Sequence, residues 1–183
     1  MACSIACRKT SIFAFPIRRL LIDQAVTSFV AEANKDPAEI TKITCVSLVE
    51  IAAEKFVALT RRSGAAFAGL QPLDPTLSRH VHDLSRLEGH YDAEDAAQLA
   101  LETMKDDAAT RGDDFPAYEA DPLGETLRAV EAMAIDREFA AQYWTLMEAK
   151  VYGDKPAFEG AMAVVGGFAA RVAAGMKAGF API

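Results

Sequence analysis

One sixteen-residue stretch constrains this chain more than any other: Ser47 to Arg62, SLVEIAAEKFVALTRR. Ser47 followed by Glu50 is a capping box, in which the hydroxyl accepts an orphan N–H and the Glu reaches back to the cap's own N–H. Arg61 and Arg62 are placed in the last turn, where the helix dipole favours cations, and Gly64 is the expected stop. At about 100° per residue, Leu48, Ile51, Ala52, Phe56 and Leu59 share one side of this helix. Glu50, Glu54 and Arg61 fall opposite. Lys55 lies near the middle of the apolar arc, so one cation points where a core belongs. Two readings of Lys55 stand side by side. Its stem packs while its amine snorkels to water, or it lines a cleft in which an anion compensates its burial. A phosphate chain suits such a compact cation.

The rest of the chain sets the class. Its 183 residues suffice for one core, or for one small core with an appendage. Alanine is abundant and strand-forming runs are few, which predicts a fold of the α+β class that is predominantly α. A few N-terminal strands over residues 1–46 would precede a helical domain over residues 47–183. The net charge of −7 argues against binding nucleic acid over the whole surface, while leaving room for a local basic cleft. Cys3, Cys7 and Cys45 are odd in number and suggest thiols in a reducing compartment; Cys3 and Cys7 lack the second pair that a zinc site needs. No apolar run reaches the length of a membrane span, and the cytoplasm is the expected location.

In chain order, residues 1–10 read as a loose start. Ser11–Leu21 reads as an edge strand interrupted by Pro16, and Val26–Ala33 as a strand or short helix. Asn34–Pro37 is a turn, and Ile40–Val46 (ITKITCV) is extended. After a loop over 64–75, Asp74 caps and Pro75 opens a helix running to Leu87, with Leu77, Val81 and Leu84 on its core face. His80, Leu87 and Asp83 lie at the edge of that face. Arg79 and Asp83 are four apart, and His80 and Asp83 three apart, so each pair is within reach. His80, His82 and His90 invite a metal reading. However, His80 and His82 point roughly 200° apart on a helix, and no second ligand cluster accompanies them. They read as surface and boundary histidines, with no metal site assigned.

Tyr91–Arg111 is predicted helical with a stripe of Ala93, Ala96, Ala97, Ala100, Leu101, Met104 and Ala108. In the loop Gly112–Asp121, Phe115 and Tyr118 are expected to anchor to the core. Asp121–Pro122 starts a helix to Ile135, and Asp136 caps the next one, to Lys150. Tyr152–Gly153 breaks it. Asp154 and Pro156 open a last helix with Phe158, Met162, Val165, Phe168 and Val172 as its core stripe and a fraying end.

Four segments together, VSLVEIAAEKFVALTRR, DPTLSRHVHDLSRL, FPAYEADPLGETLRA and VYGDKPAFEGAM, resemble the nucleotidyltransferase family of AbiEii/AbiGii toxins. That family has an EK-x-x-A-L-like helix followed by one carrying R-x-x-D-L or RH-x-x-DL. The resemblance covers roughly residues 12 to 170. It implies a polymerase-β-like core with a small mixed sheet and a helical C-terminal lobe. It further implies a bacterial toxin–antitoxin or phage-defence role, with NTP-dependent nucleotidyl transfer to RNA. Lys55 stands where the family has its motif lysine, a ligand for the NTP phosphates. Asp83 stands at its helix aspartate, which orients or supports the active site. Arg79, His80 and Glu54 accompany them as substrate-binding residues. Mg2+ and NTP are the implied cofactor and substrate, and an antitoxin the implied partner.

The chain departs from the family in one respect. It contains no Asp-x-Asp and no Gly-Ser dipeptide, the elements that hold two metals and grip phosphates in such transfers. In the family these elements come earlier in the chain. The expectation is therefore a truncated or degenerate relative, inactive alone. The alternative reading is a non-catalytic helical interaction module that forms a homodimer.

Overall fold

The computed structural model describes residues 21–26, 33–37 and 40–178. Among them, strands β1 (Leu21–Val26) and β2 (Ile40–Val46) form an antiparallel two-stranded ladder. Leu21 pairs with Val46 and Gln24 with Ile43, and an irregularity between Gln24 and Val26 shifts Val26 onto Ile40. Everything that follows is helical: α1 (Leu48–Phe67), a 3-10 turn (Pro75–Leu77), α2 (Ser78–Leu87), α3 (Ala93–Arg111), a second 3-10 turn (Gly112–Asp114), α4 (Pro116–Ala120), α5 (Pro122–Ile135), α6 (Arg137–Lys150) and α7 (Phe158–Ala178). The predominantly α reading with a small β component is correct.

The extended segment at Ile40–Val46 is as expected; of the turn read over Asn34–Pro37, Asn34 is helical and Lys35 turns the chain in the left-handed region at φ 59°. Strand β1 falls between the two segments read as β-prone, because Asp23 and Gln24 interrupt its apolar pattern. Ser11–Leu20 and most of Val26–Ala33 lie outside the described residues, as does the chain beyond Ala178.

Helix α1 is the axis of the helical part. It packs against α2, α3 and α5, and this explains where its sequence reading departs from the structure. Ser47 caps it as expected, accepting the Glu50 N–H at 3.2 Å. The helix nevertheless does not stop at Gly64. It runs to Phe67, and Gly69 provides the positive φ, 75°. Gly64 is a close-approach residue instead: a Cβ there would lie 3.2 Å from the Phe115 ring and 3.4 Å from the Ala129 methyl. The missing side chain lets α4 and α5 dock against α1. Consequently Arg61 and Arg62 sit more than a turn inside the helix, not at its end. Glu50 and Arg61, placed opposite the apolar arc, are also largely covered by neighbouring helices. A helix surrounded on several sides has no single wet face.

Local signals fixed most other boundaries. Asp74 accepts the Thr76 N–H at 2.8 Å and opens the 3-10 turn at Pro75. Asp92 accepts the Glu94 and Asp95 N–H groups, so α3 begins at Ala93 rather than Tyr91. Asp121 and Asp136 cap α5 and α6 through Gly124 and Phe139. The segment 112–121 is two short helical pieces rather than an open loop, with Phe115 and Tyr118 buried as anchors. Gly153, at φ 85°, follows the end of α6. The main core joins α1 to α7, where Phe56 stacks on Phe168 with ring centroids 4.4 Å apart. Each such ring contributes about 1.5–3 kcal/mol by leaving water. Leu77, Val81 and Leu84 seat α2 in the same core, and all five residues of the α7 stripe are buried.

Candidate functional site

Because Leu77, Val81 and Leu84 turn inward, Arg79, His80, His82 and Asp83 of α2 are carried along the edge of its contact with α1. Lys55 reaches that edge from α1. Its Nζ donates to Asp83 Oδ2 at 2.6 Å, and the two side chains are 25% and 24% exposed. Lys55 is thus neither wholly buried nor pointed freely into water. Its amine ends at the boundary, held by one carboxylate.

Asp83 has two further neighbours. Arg79 Nε lies 3.8 Å from Oδ2, one helical turn back, as the spacing predicted. The expected partner at three residues, His80, makes no hydrogen bond or ion pair with it. The imidazole beside Asp83 is that of His82, with Nδ1 3.4 Å from Oδ1. Spacing alone favoured His80, because residues three apart share a face. The helix turns His80 inward instead, leaving the adjacent residue to meet the carboxylate at its margin.

His80 occupies a different environment. Its Nδ1 is buried and finds no hydrogen-bond partner. Burial, followed by the positive charge of Lys55, lowers its pKa to about 4; Arg62 and Arg79 push the same way, and Asp83 opposes them. At neutral pH the ring is uncharged. It therefore offers a directional hydrogen bond beside Lys55 rather than a third positive charge. Glu54, the remaining expected site residue, is partly buried on α1 and makes no ion pair or side-chain hydrogen bond among the described residues. The structure thus brings Lys55, Arg79 and Asp83 together, sets His80 beside them, adds His82 and leaves Glu54 apart.

A family model matches residues 10–164, under the description nucleotidyl transferase AbiEii toxin, type IV toxin–antitoxin system. The chain belongs to this family. No curated protein and no solved structure matches it. The matched span takes in both helices that build the Lys55–Asp83 contact, so the resemblance read from the EK-x-x-A-L and RH-x-x-D-L segments is correct at the level of the family.

The AbiEii family is one of nucleotidyl transferases, for which a divalent metal is implied. The described residues do not fit one. No group of three or more His, Cys, Asp or Glu side chains among them is placed to hold an ion. Asp83, the one carboxylate at the site, is ringed by an ammonium, a guanidinium and an imidazole. That is the reverse of the oxygen-rich cage magnesium requires. What the pair suits is an anion: an ammonium has three donors, and Asp83 takes one. No described helix is long and apolar enough to cross a membrane.

Proposed function

We propose that the Lys55–Asp83 pair binds the phosphates of an NTP in a nucleotidyl transfer whose acceptor is RNA. The observation that carries this reading is the Lys55 Nζ, on a side chain one quarter exposed, donating once, at 2.6 Å, to Asp83 Oδ2. Asp83 holds the ammonium at the mouth of the α1–α2 contact instead of letting it sweep through solvent. The two remaining N–H donors of Lys55 are then oriented in advance for phosphate oxygens. Arg79, more exposed than either partner, adds positive charge at the rim. His80, neutral and with an unpartnered buried Nδ1, is assigned to the nucleotide's polar edge. Glu54 is assigned no contact. The reading covers phosphate binding and orientation only. Family membership supports the nucleotidyl transfer itself.

The experiment is a thermal melt with millimolar NTP, run on the parent chain and on Lys55→Ala. A ligand that binds only the folded state stabilises it by about 2.7 kcal/mol at a hundredfold excess over Kd. A rise in Tm that disappears in Lys55→Ala is the expected result. An equal rise in both proteins, or none in either, sinks the assignment.

A protein-contact reading has an observation of its own. Phe67, Leu70 and Ile135 are exposed apolar side chains near the far end of α1, two of them beside a groove of about 510 Å³. Such a surface suits a protein partner, and the toxin–antitoxin membership of the family makes an antitoxin the partner to try first. An antitoxin that binds Ile135→Asp as tightly as the parent chain would remove this surface from consideration.

A further inference from the structure

Beyond Lys55, helix α1 carries a second concentration of charge. Arg61 and Arg62 follow six and seven residues on, about 9–10.5 Å along the axis. Both enter the wall of a cavity of about 360 Å³. Arg111 of α3 faces them, and Gln71, Asp114 and Phe115 complete the lining that matters here. None of these residues belongs to the Lys55–Asp83 contact.

Its polar groups are incompletely matched. Asp107 of α3 sits between two guanidiniums, with Oδ2 2.5 Å from Arg61 Nε and Oδ1 3.1 Å from Arg111 Nε. The Arg61 contact is an ion pair without an aligned hydrogen bond: both Arg61 Nε and Asp107 Oδ2 are buried and lack a hydrogen-bond partner. The Tyr118 hydroxyl, whose charged form both Asp107 and Arg61 influence, is a third buried polar atom without a partner. Desolvation keeps that phenol protonated, hence a donor. Desolvation also raises the Asp107 pKa despite its two cations. Buried polar atoms are nearly always satisfied; Asp107 Oδ2 is an acceptor that faces Arg61, and the Tyr118 hydroxyl is the donor among these atoms that an anion's oxygen would satisfy beside the guanidinium-lined cavity.

The carboxylates nearby do not fill that role. Asp107 approaches Arg61 and Arg111 through their Nε edges. The terminal amino groups of Arg61 then meet no acceptor among the described residues. Asp74 pairs with Arg62 from outside, and Asp114 is exposed at the rim. Two guanidiniums oriented by one carboxylate are a prearranged fork for a tetrahedral oxyanion.

We propose that the cavity between α1 and α3 is a phosphate-binding site, in which Arg61, Arg62 and Arg111 hold the oxygens of a phosphate group. The site is separate from the Lys55–Asp83 pair and does not depend on that pair's role. Its ligand is a phosphate monoester, a free phosphate or a phosphodiester.

The test is a calorimetric titration of the full chain with inorganic phosphate, and then with a short single-stranded RNA oligonucleotide. Parent, Lys55→Ala, Arg111→Gln and Arg62→Gln proteins are compared. Phosphate is expected to bind the parent and Lys55→Ala alike and to bind each arginine variant about tenfold more weakly, the effect of one lost charge-assisted hydrogen bond. An oligonucleotide that binds more tightly than phosphate, competes with it and weakens steeply with salt identifies a phosphodiester. Equal affinity for both identifies a lone phosphate group. Unchanged binding in both arginine variants, or binding lost in Lys55→Ala, overturns the site. Should either arginine variant fail to fold, the parent chain alone decides. Phosphate must shift the Arg61 Nε–H resonance in a 15N spectrum, and an unmoved resonance at saturating phosphate overturns the proposal.

Discussion

Two aspartates of this chain do similar chemistry in different surroundings, and the contrast between them explains much of the molecule. Asp83 meets Lys55 at a boundary. Its partners are a quarter exposed or more, save His82, and the central contact is a single well-formed hydrogen bond. Asp107 meets Arg61 in a deeper place, where both side chains are 15% exposed and neither atom of the closest contact is satisfied by a hydrogen bond. The first centre relaxes easily, because water waits beside it. The second has no such recourse, since removing one charge strands others under protein. Burial raises the cost of an unmatched charge more than it raises the value of a matched one.

Removing each carboxylate is the strongest way to break the contrast. Asp107→Ala leaves Arg61 without its counter-charge and should destabilise the chain by about 3 kcal/mol in a denaturant melt. A loss under about 1 kcal/mol would mean that the second centre is as well hydrated as the first. Asp83→Ala should cost only about 1 kcal/mol, because the freed Lys55 amine reaches solvent from where it stands. If the two variants lose the same stability, the difference in burial has no energetic meaning.

A third effect shows only as the pH changes, and it sharpens the description of the first centre. The folded-state pKa of His80 lies near 4, below its ordinary 6.5. Between these values the unfolded chain binds more protons than the native one, so stability rises with pH. His80 therefore contributes stability that is present in full above about pH 6.5 and is lost as pH falls through 4. The raised pKa of Asp107 acts with the opposite sign, favouring the native state as pH falls, but it is common to parent and variant. His80→Gln should melt with a shallower dependence on pH over this range. Parallel profiles for the two proteins would show that the ring is solvated rather than buried among Lys55, Arg62 and Arg79.

The same contrast separates what could be read in advance from what could not. The Asp83 centre was legible because its parts are local. Arg79 and Asp83 are one turn apart, and Lys55 announced itself as a cation in an apolar arc. The exchange of His80 for His82 escaped notice because it depends on how far α2 rotates when Leu77, Val81 and Leu84 seat in the core. The Asp107 centre was invisible in the sequence. Its acid lies outside the packing stripe expected of its helix, and Arg61 was placed near a helix end. Only the docking of α3 and α4 on α1 brings Arg61, Asp107, Arg111 and Tyr118 together. Gly64 shows the same limit: glycine reads as a stop when the chain is taken alone, and as a contact when another helix is present.

What the amino-acid sequence determined by itself is the set of local commitments. Ser47, Asp74, Asp121 and Asp136 cap their helices through side-chain oxygens a few residues from the groups they satisfy. The spacing of apolar residues settles which face of α2 and α7 is buried. Tertiary structure alone decided which charges meet across helices, how deeply they lie and which polar atoms are left unmatched. Capping and periodicity act within a turn or two of backbone, whereas burial and its electrostatic consequences exist only once separate helices exclude water from the space between them.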